Sequence, residues 1–151
     1  MNKTEIEYIH KILYSEQQNQ SISEIKLITD SKLLHIIGGN YNWDNGFDIP
    51  YSIITNKNCD LGTALMIFYS ADGYRILESD AELKTNGLKE WFDFISEVYE
   101  MVLNNKFKSN SIKFIPPLTK VQIFKIKKYN PSIKKVFLEE SDGETIEIPI
   151  I

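Results

Sequence analysis

Residues 85–105, TNGLKEWFDFISEVYEMVLNN, contain the clearest helical pattern in the chain. Apolar residues recur there every three or four positions, which places them on one face of an α-helix. This stripe consists of Leu88, Trp91, Phe92, Ile95, Val98, Tyr99, Val102 and Leu103. A stripe of this width predicts a helix that forms the central element of the core.

Shorter helical patterns precede this stretch, and each begins near a residue that can cap a helix. Thr4 with Glu7, and Ser21 with Glu24, have the spacing of a capping box, in which two side chains bond each other's backbone. Further predicted boundaries are the caps Asp30 and Asp60, the stops Gly38-Gly39 and Asp72-Gly73, and Pro50 in a first turn. The pattern predicts a compact, mainly α-helical domain of short stacked helices.

The C-terminal third is less regular. Residues 118–129 fit either a strand or a short helix, and we favour a helix. The following stretch, KKVFLEESDGETIEIPI, predicts a β-hairpin about Asp142-Gly143, because apolar residues alternate on both sides of a turn dipeptide. We therefore expect a single domain over residues 1–151, with a helical core at 30–105, a Lys-rich segment at 106–138 and an acidic strand region at 139–151.

Composition indicates an ordinary globular protein. The chain has 151 residues, of which 42% are hydrophobic and 25% charged. Its one cysteine, Cys59, excludes an internal disulfide and favours a reducing compartment. The first residues carry Glu5 and Glu7 where a signal peptide needs an apolar run, and the longest nearly apolar run, LGTALMIFYSA, is too short to span a membrane. We expect a cytoplasmic protein without a membrane partner.

The net charge of −4 conceals three charged blocks. Residues 1–105 hold 16 acidic and 8 basic side chains, residues 106–138 hold 9 Lys and no acid, and residues 139–151 hold 5 acids and no base. Such blocks can steer charged partners. We expect instead that the Lys-rich segment folds back over the acidic body and that the charges compensate each other.

Residues 40–48, NYNWDNGFD, form the densest polar stretch of the chain. Counted as a calcium loop from Asn40, the stretch has Asn45 where glycine is required and Tyr51 where a bidentate glutamate is required. Asn, Asp and Gly also favour tight turns. We therefore interpret the stretch as a corner between helices, with Trp43 as its anchor.

Other chemistries find little support. Cys59, His10 and His35 lack the spacing of a zinc site, and a nucleophilic pair of Cys59 with His35 requires the fold to bring the two together. The carboxylates of Asp44, Asp48, Asp60 and Asp72 could converge as a hydrolase pair, although caps and turns already explain three of them. Phosphate-loop, GxSxG and HExxH motifs are absent from the sequence. The sequence therefore predicts a non-enzymatic protein with no catalytic, cofactor or metal site.

The Lys-rich segment raises a nucleic-acid alternative. Its lysines are interleaved with Phe and Tyr, a mixture suited to phosphate contact and base stacking. Arginine, which reads bases and phosphates better, occurs once in the chain, at Arg75. The acidic blocks on either side would also repel phosphate.

Two stretches carry a family resemblance. The sequences NYNWDNGFDIP and NKNCDLGTALMIFYSADGY resemble the bacterial family called domain of unknown function 4274, over roughly residues 30–105. The matching pieces are Asn42, Trp43, Asp44 and Gly46, then Cys59 to Leu65, then Phe68 and Ala71-Asp72-Gly73, while Asn45 departs from an expected acidic residue. The motif also has a structural interpretation, in which two helices are clamped by their ends. The residues of this clamp are Asn42, Trp43, Gly46, Asp60, Gly62, Asp72 and Gly73.

The resemblance implies a partner and no established chemistry. Proteins of this kind resemble those found near bacterial polymorphic toxins, which implies an immunity role in which a cognate toxin is bound and silenced. An acidic body would suit a basic toxin such as a nuclease. The candidate partner-binding residues, chosen by their position in loops, are Asp44, Asp48 and Glu78. A nucleic-acid-binding module is the alternative and a hydrolase the third hypothesis.

Overall fold

The computed structural model describes residues 1–78 and 87–151, and within these ranges the regular secondary structure is helical. The helices are α1 (Lys3–Tyr14), α2 (Gln18–Leu27), α3 (Ser31–Gly39), α4 (Asp48–Ile54), α5 (Leu61–Ser70), α6 (Tyr74–Glu78), α7 (Lys89–Leu103) and α8 (Lys120–Tyr129), with short 3-10 turns at Trp43–Asn45 and Lys135–Phe137. The predicted mainly α-helical fold is confirmed.

Helix α5 occupies the centre of the fold. Every residue from Leu61 to Tyr69 is buried, and α5 packs against α3, α4 and α7. Its sequence, LGTALMIFYS, has no charged residue, so several of its faces can contact apolar neighbours. Most of the buried apolar residues in the described ranges, from Ile9 to Phe137, form one hydrophobic cluster around it.

Helix α7 forms where the sequence predicts it, but its predicted central position is wrong. The helix buries only Phe94, Ile95, Val98 and Val102. Its opposite side carries exposed Glu90, Asp93, Glu97 and Glu100. Charged residues avoid burial without a partner, so α7 lies at the surface of the core as an amphipathic helix.

Two of the predicted caps are confirmed and two are wrong. The carboxylates of Asp30 and Asp60 accept bonds from the first turns of α3 and α5. The predicted capping box of Thr4 with Glu7 is wrong, because helix α1 begins after Asn2, which forms the capping box with Glu5. Ser21 lies inside α2, because its buried hydroxyl donates to the Ile12 carbonyl oxygen at 2.8 Å and joins α2 to α1.

The remaining predicted boundaries agree closely with the structure. Gly38 and Gly39 are the last residues assigned to α3, and Asn40 is its C-cap. Pro50 lies in the first turn of α4, where its missing amide hydrogen is not needed.

The favoured helix at residues 118–129 is confirmed, whereas the predicted β-hairpin is wrong. Thr119 and Gln122 form a capping box at the start of α8. The described residues form two isolated β-bridges and no extended strand. Instead of pairing across Asp142-Gly143, the tail pairs with residues 111–113: the Glu144 amide donates to the Ser111 carbonyl oxygen, and the Lys113 amide donates to the Glu144 carbonyl oxygen, each at 2.9 Å.

Burial of Phe137 explains this outcome. The ring is fully buried and lies 4.7 Å from the Tyr99 ring, centre to centre, so the residues before the turn are drawn into the core as a 3-10 turn. The chain end is held separately, since the Ile151 amide donates to the Asn40 side chain at 3.2 Å. None of the helices in the described ranges is long and apolar enough to cross a membrane.

Candidate functional site

Residues 40–48 turn the chain between α3 and α4. The Asn42 side chain accepts a bond from the Asp44 amide at 3.1 Å and so caps the 3-10 turn. The Tyr41 hydroxyl donates to the Gly46 carbonyl oxygen at 2.8 Å. Gly46 has a φ of 88°, a left-handed conformation that glycine adopts without steric cost. The side chains of Tyr41 and Asn42 thus bond the backbone of the corner itself, whereas that of Asn40 bonds the C-terminal tail.

Trp43 fixes the corner to α7. Its half-buried ring stands edge-on to Tyr41, with centroids 5.4 Å apart, and lies 6.2 Å from Phe94. Phe47 stacks on Phe94 at 5.0 Å. Aromatic pairs at these separations stabilise by about 0.5–1.5 kcal/mol beyond the area that they bury. The corner is therefore a rigid platform on the side of α7.

The calcium alternative has no geometric support in this corner. Asp44 and Asp48 are both exposed, and neither accepts a side-chain hydrogen bond there. In residues 1–78 and 87–151, no group of three or more His, Cys, Asp or Glu could hold a metal ion.

Asp60 is the most extensively bonded side chain of the motif. Its carboxylate is fully buried and accepts from the Gly62 amide at 2.8 Å, as the cap of α5. It also accepts from the Ser109 hydroxyl at 2.7 Å, the Ser111 amide at 2.7 Å and the Ile112 amide at 3.2 Å. One carboxylate therefore satisfies four donors and joins α5 to the Lys-rich segment.

Gly62 permits this close approach. A Cβ atom at this position would lie 2.0 Å from the Ile112 carbonyl oxygen, a distance that no side chain can occupy. The predicted clamp thus exists, but its second half is different. An extended segment at residues 109–112 takes the place that the sequence assigned to a second helix end. The serines of that segment gave no motif signal, because their role arises only from the folded position of Asp60.

Asp72 and Gly73 form the stop after α5. Asp72 has a φ of 59°, and the Gly73 amide donates to the Phe68 carbonyl oxygen at 2.8 Å. A Cβ on Gly73 would lie 2.5 Å from that same oxygen. The Trp91 indole nitrogen donates to the Ala71 carbonyl oxygen at 2.6 Å and so attaches the turn to α7.

His35 and Cys59 are both buried and do not provide a nucleophilic site. The His35 Nδ1 atom lies 3.0 Å from the Thr63 hydroxyl. Burial lowers the pKa of His35 to about 4, while the charge of Asp60 opposes this shift. Burial, with the Asp60 charge, raises the pKa of the Cys59 thiol well above its usual range. A reactive cysteine needs the opposite shift, so the thiol stays protonated at neutral pH.

The three candidate partner-binding residues occupy two places. Asp44 and Asp48 lie together on the corner, and Asp48 is close enough to Tyr41 that its charge, after burial, helps raise the Tyr41 pKa to about 12. Glu78 is a half-buried residue at the end of α6. Sequence reasoning missed the acidic outer side of α7. The helix that follows the corner, α4, is joined to this side by a bond of 3.1 Å from the Tyr51 hydroxyl to Glu97.

The Lys-rich segment packs on the body through apolar residues. Phe107, Ile112, Ile126 and Phe137 are buried. Of the ion pairs found among the described residues, none includes a lysine of residues 106–138. The expected folding back is therefore observed, but direct charge pairing in the described ranges does not cause it. Nearly all of these lysines point to solvent.

These features define a class: a mainly helical protein whose motif residues act as caps, turns and clamps. The chain belongs to the family described as Domain of unknown function (DUF4274), whose model matches residues 29–103, about half of the sequence. No curated protein and no solved structure matches the chain. Asp60 and Gly62 lie inside the matched region, whereas the segment that they hold lies outside it.

Proposed function

We propose that this protein is a non-enzymatic immunity protein that binds and silences a basic toxin made in the same cell. The observation that carries the proposal is an acidic face on a rigid support. Asp44 and Asp48 are exposed on a corner whose Trp43 packs on α7, and α7 continues the face with Glu97. Carboxylates held on rigid elements can complement a basic surface with little ordering on binding.

The buried chemistry supports binding without turnover. His35 is held neutral in the interior and Cys59 is held as a thiol, so neither is available as a nucleophile or base at the surface. The carboxylate of Asp60 is occupied by four donors within the fold. The family resemblance to proteins encoded near toxins adds an associational argument.

Co-expression with the adjacent gene product tests the proposal. We expect the neighbour to arrest growth alone and the present protein to restore growth at one-to-one stoichiometry. The variant Asp44→Lys with Asp48→Lys should slow association and weaken protection, because charge reversal at an interface mainly lowers the rate of encounter. Glu139→Lys with Glu140→Lys makes the same charge change at exposed residues of the tail and serves as the matched control.

Three outcomes would contradict this reading. The neighbour could be harmless alone, or it could arrest growth equally with and without this protein. Protection at substoichiometric amounts of this protein would indicate turnover and would exclude a simple binding mechanism.

A further inference from the structure

Helix α8 presents an unusual outward face. Val121 is 63% exposed and Phe124 is 67% exposed, and the spacing of three, four and seven residues places Lys125 and Lys128 on the same side. Only Ile126 of this helix is buried. Large exposed apolar side chains beside lysines on one helix face indicate a surface that contacts a partner. We call these four residues the basic face of α8.

Helix α7 presents the opposite charge. Glu90, Asp93, Glu97 and Glu100 are spaced by three and four residues and are all exposed. Leu103, 36% exposed, continues this side at its C-terminal end. We call the four carboxylates the acidic stripe of α7. Asp93 pairs with Lys89 on its own helix, and the stripe has no ion pair with α8 within one described chain.

The two helices meet at one cleft. A cavity of about 530 Å³ is lined by residues that include Ser96 and Glu100 of α7 and, at the C-terminal end of α8, Tyr129 and the cap residue Asn130. The basic face and the acidic stripe therefore belong to neighbouring helices. A twofold rotation axis beside this pair of helices places the basic face of each copy on the acidic stripe of the other, so the same contact forms twice.

We propose that a second copy of this chain occupies the basic face of α8, and that the result is a twofold dimer with two α8–α7 contacts. Charge complementarity within one sequence supports this occupant. The overall charge of −4 is small for 151 residues, so long-range repulsion between copies is weak. The absence of arginine from the basic face disfavours a phosphate partner, because lysine lacks the fork that binds phosphate with two bonds. This inference does not depend on the immunity proposal, but both proposals use Glu97, so the second copy and the toxin would compete for this carboxylate.

Complementary charge reversal tests the proposal. We expect sedimentation equilibrium at low salt to show a concentration-dependent dimer that weakens as salt is added. Lys125→Glu with Lys128→Glu should be monomeric, and so should Glu97→Lys with Glu100→Lys. An equimolar mixture of these two variants should dimerise, because one contact then joins the two reversed faces and the other contact joins the two native faces.

Two further variants separate the face from general effects of charge and folding. Phe124→Ala should raise the dissociation constant about tenfold or more, as for the loss of a central aromatic anchor. Lys106→Glu with Lys108→Glu changes the charge equally at exposed lysines outside α8 and should leave the dimer intact. Recovery of association in the mixture also shows that both reversed variants are folded.

Three results would overturn the proposal. These are a wild-type protein that is monomeric at every concentration at low salt, reversed variants that still associate alone, and a mixture that fails to associate. If the wild type is monomeric and a short single-stranded oligonucleotide binds it but not the Lys125→Glu, Lys128→Glu variant, the basic face is a polyanion site instead.

Discussion

Asp60 does more than its role as a helix cap requires. An exposed cap satisfies one or two amides of its own helix, as Asp30 does for the Lys32 amide at 2.9 Å. Asp60 also binds three donors of residues 109–112 in a fully buried position. Buried donors that lose their acceptor cannot turn to water, so the loss of such a carboxylate is expensive.

Asp60→Ala should therefore lower the free energy of unfolding by about 3–5 kcal/mol, the range for breaking a buried charged network. Asp30→Ala, the matched control, should lower it by about 1 kcal/mol, as for an ordinary cap. Urea unfolding measures both values. Equal losses in the two variants would show that the bonds to residues 109–112 contribute little.

His35 links stability to pH. Its pKa is about 4 in the folded protein and 6.5 in a model peptide, because burial disfavours the charged ring. Between these pH values the unfolded chain binds a proton that the folded protein does not. The contribution of His35 is therefore full above pH 6.5 and is lost as the pH falls towards 4.

The variant His35→Gln should remove this part of the pH dependence. The loss of stability from pH 7 to about 4 should be smaller in the variant than in the wild type by on the order of 3 kcal/mol. Urea unfolding of both proteins across this range gives the difference. Parallel curves would mean that the ring is protonated in the folded state as readily as in the unfolded state.

Among the elements, α5 shows how a helix becomes central. Its sequence has no charged side along nine buried residues, whereas α7 keeps one strongly acidic side and stays at the surface. The start of α5 is also where the backbone of residue 112 comes closest to it, and Gly62 is the position that allows the contact.

Gly62→Ala should destabilise the protein by about 2 kcal/mol or more, because the new Cβ meets backbone that cannot move independently. Gly39→Ala is the matched helical control. There the Cβ would meet only the Ile148 side chain, at 2.6 Å, which can change its rotamer. We expect the control to stay within about 0.5 kcal/mol of the wild type. The midpoint of urea unfolding gives both values, and a neutral Gly62→Ala would argue against the close approach.

At the scale of the whole molecule, the matched family region is not a separate structural unit. Phe137, far outside residues 29–103, is fully buried between the rings of Phe68 and Tyr99. The Tyr69 hydroxyl, inside the matched region, donates to the Phe137 carbonyl oxygen. Residues beyond the matched region therefore complete the core around α5.

Phe137→Ala should lower the free energy of unfolding by about 3–5 kcal/mol, as for large aromatic residues in other cores. A chain that ends at residue 103 should lose the cooperative unfolding transition, because α5 would expose the surface that residues 107–137 cover. Circular dichroism during thermal unfolding measures both effects. A cooperative transition in the truncated chain would show that residues 1–103 fold without the rest.

The sequence by itself determined the helical class, the caps at Asp30 and Asp60 and the corner at residues 40–48, and it favoured the helix at 118–129. These features depend on neighbours within a few positions, where spacing and side-chain chemistry are decisive. Only the tertiary structure decided that α5 and not α7 is central, that the tail pairs with residues 111–113, and that Asp60 holds Ser109 and Ser111. Each of these depends on contacts between residues far apart in the chain, and competition for burial among all elements selects them.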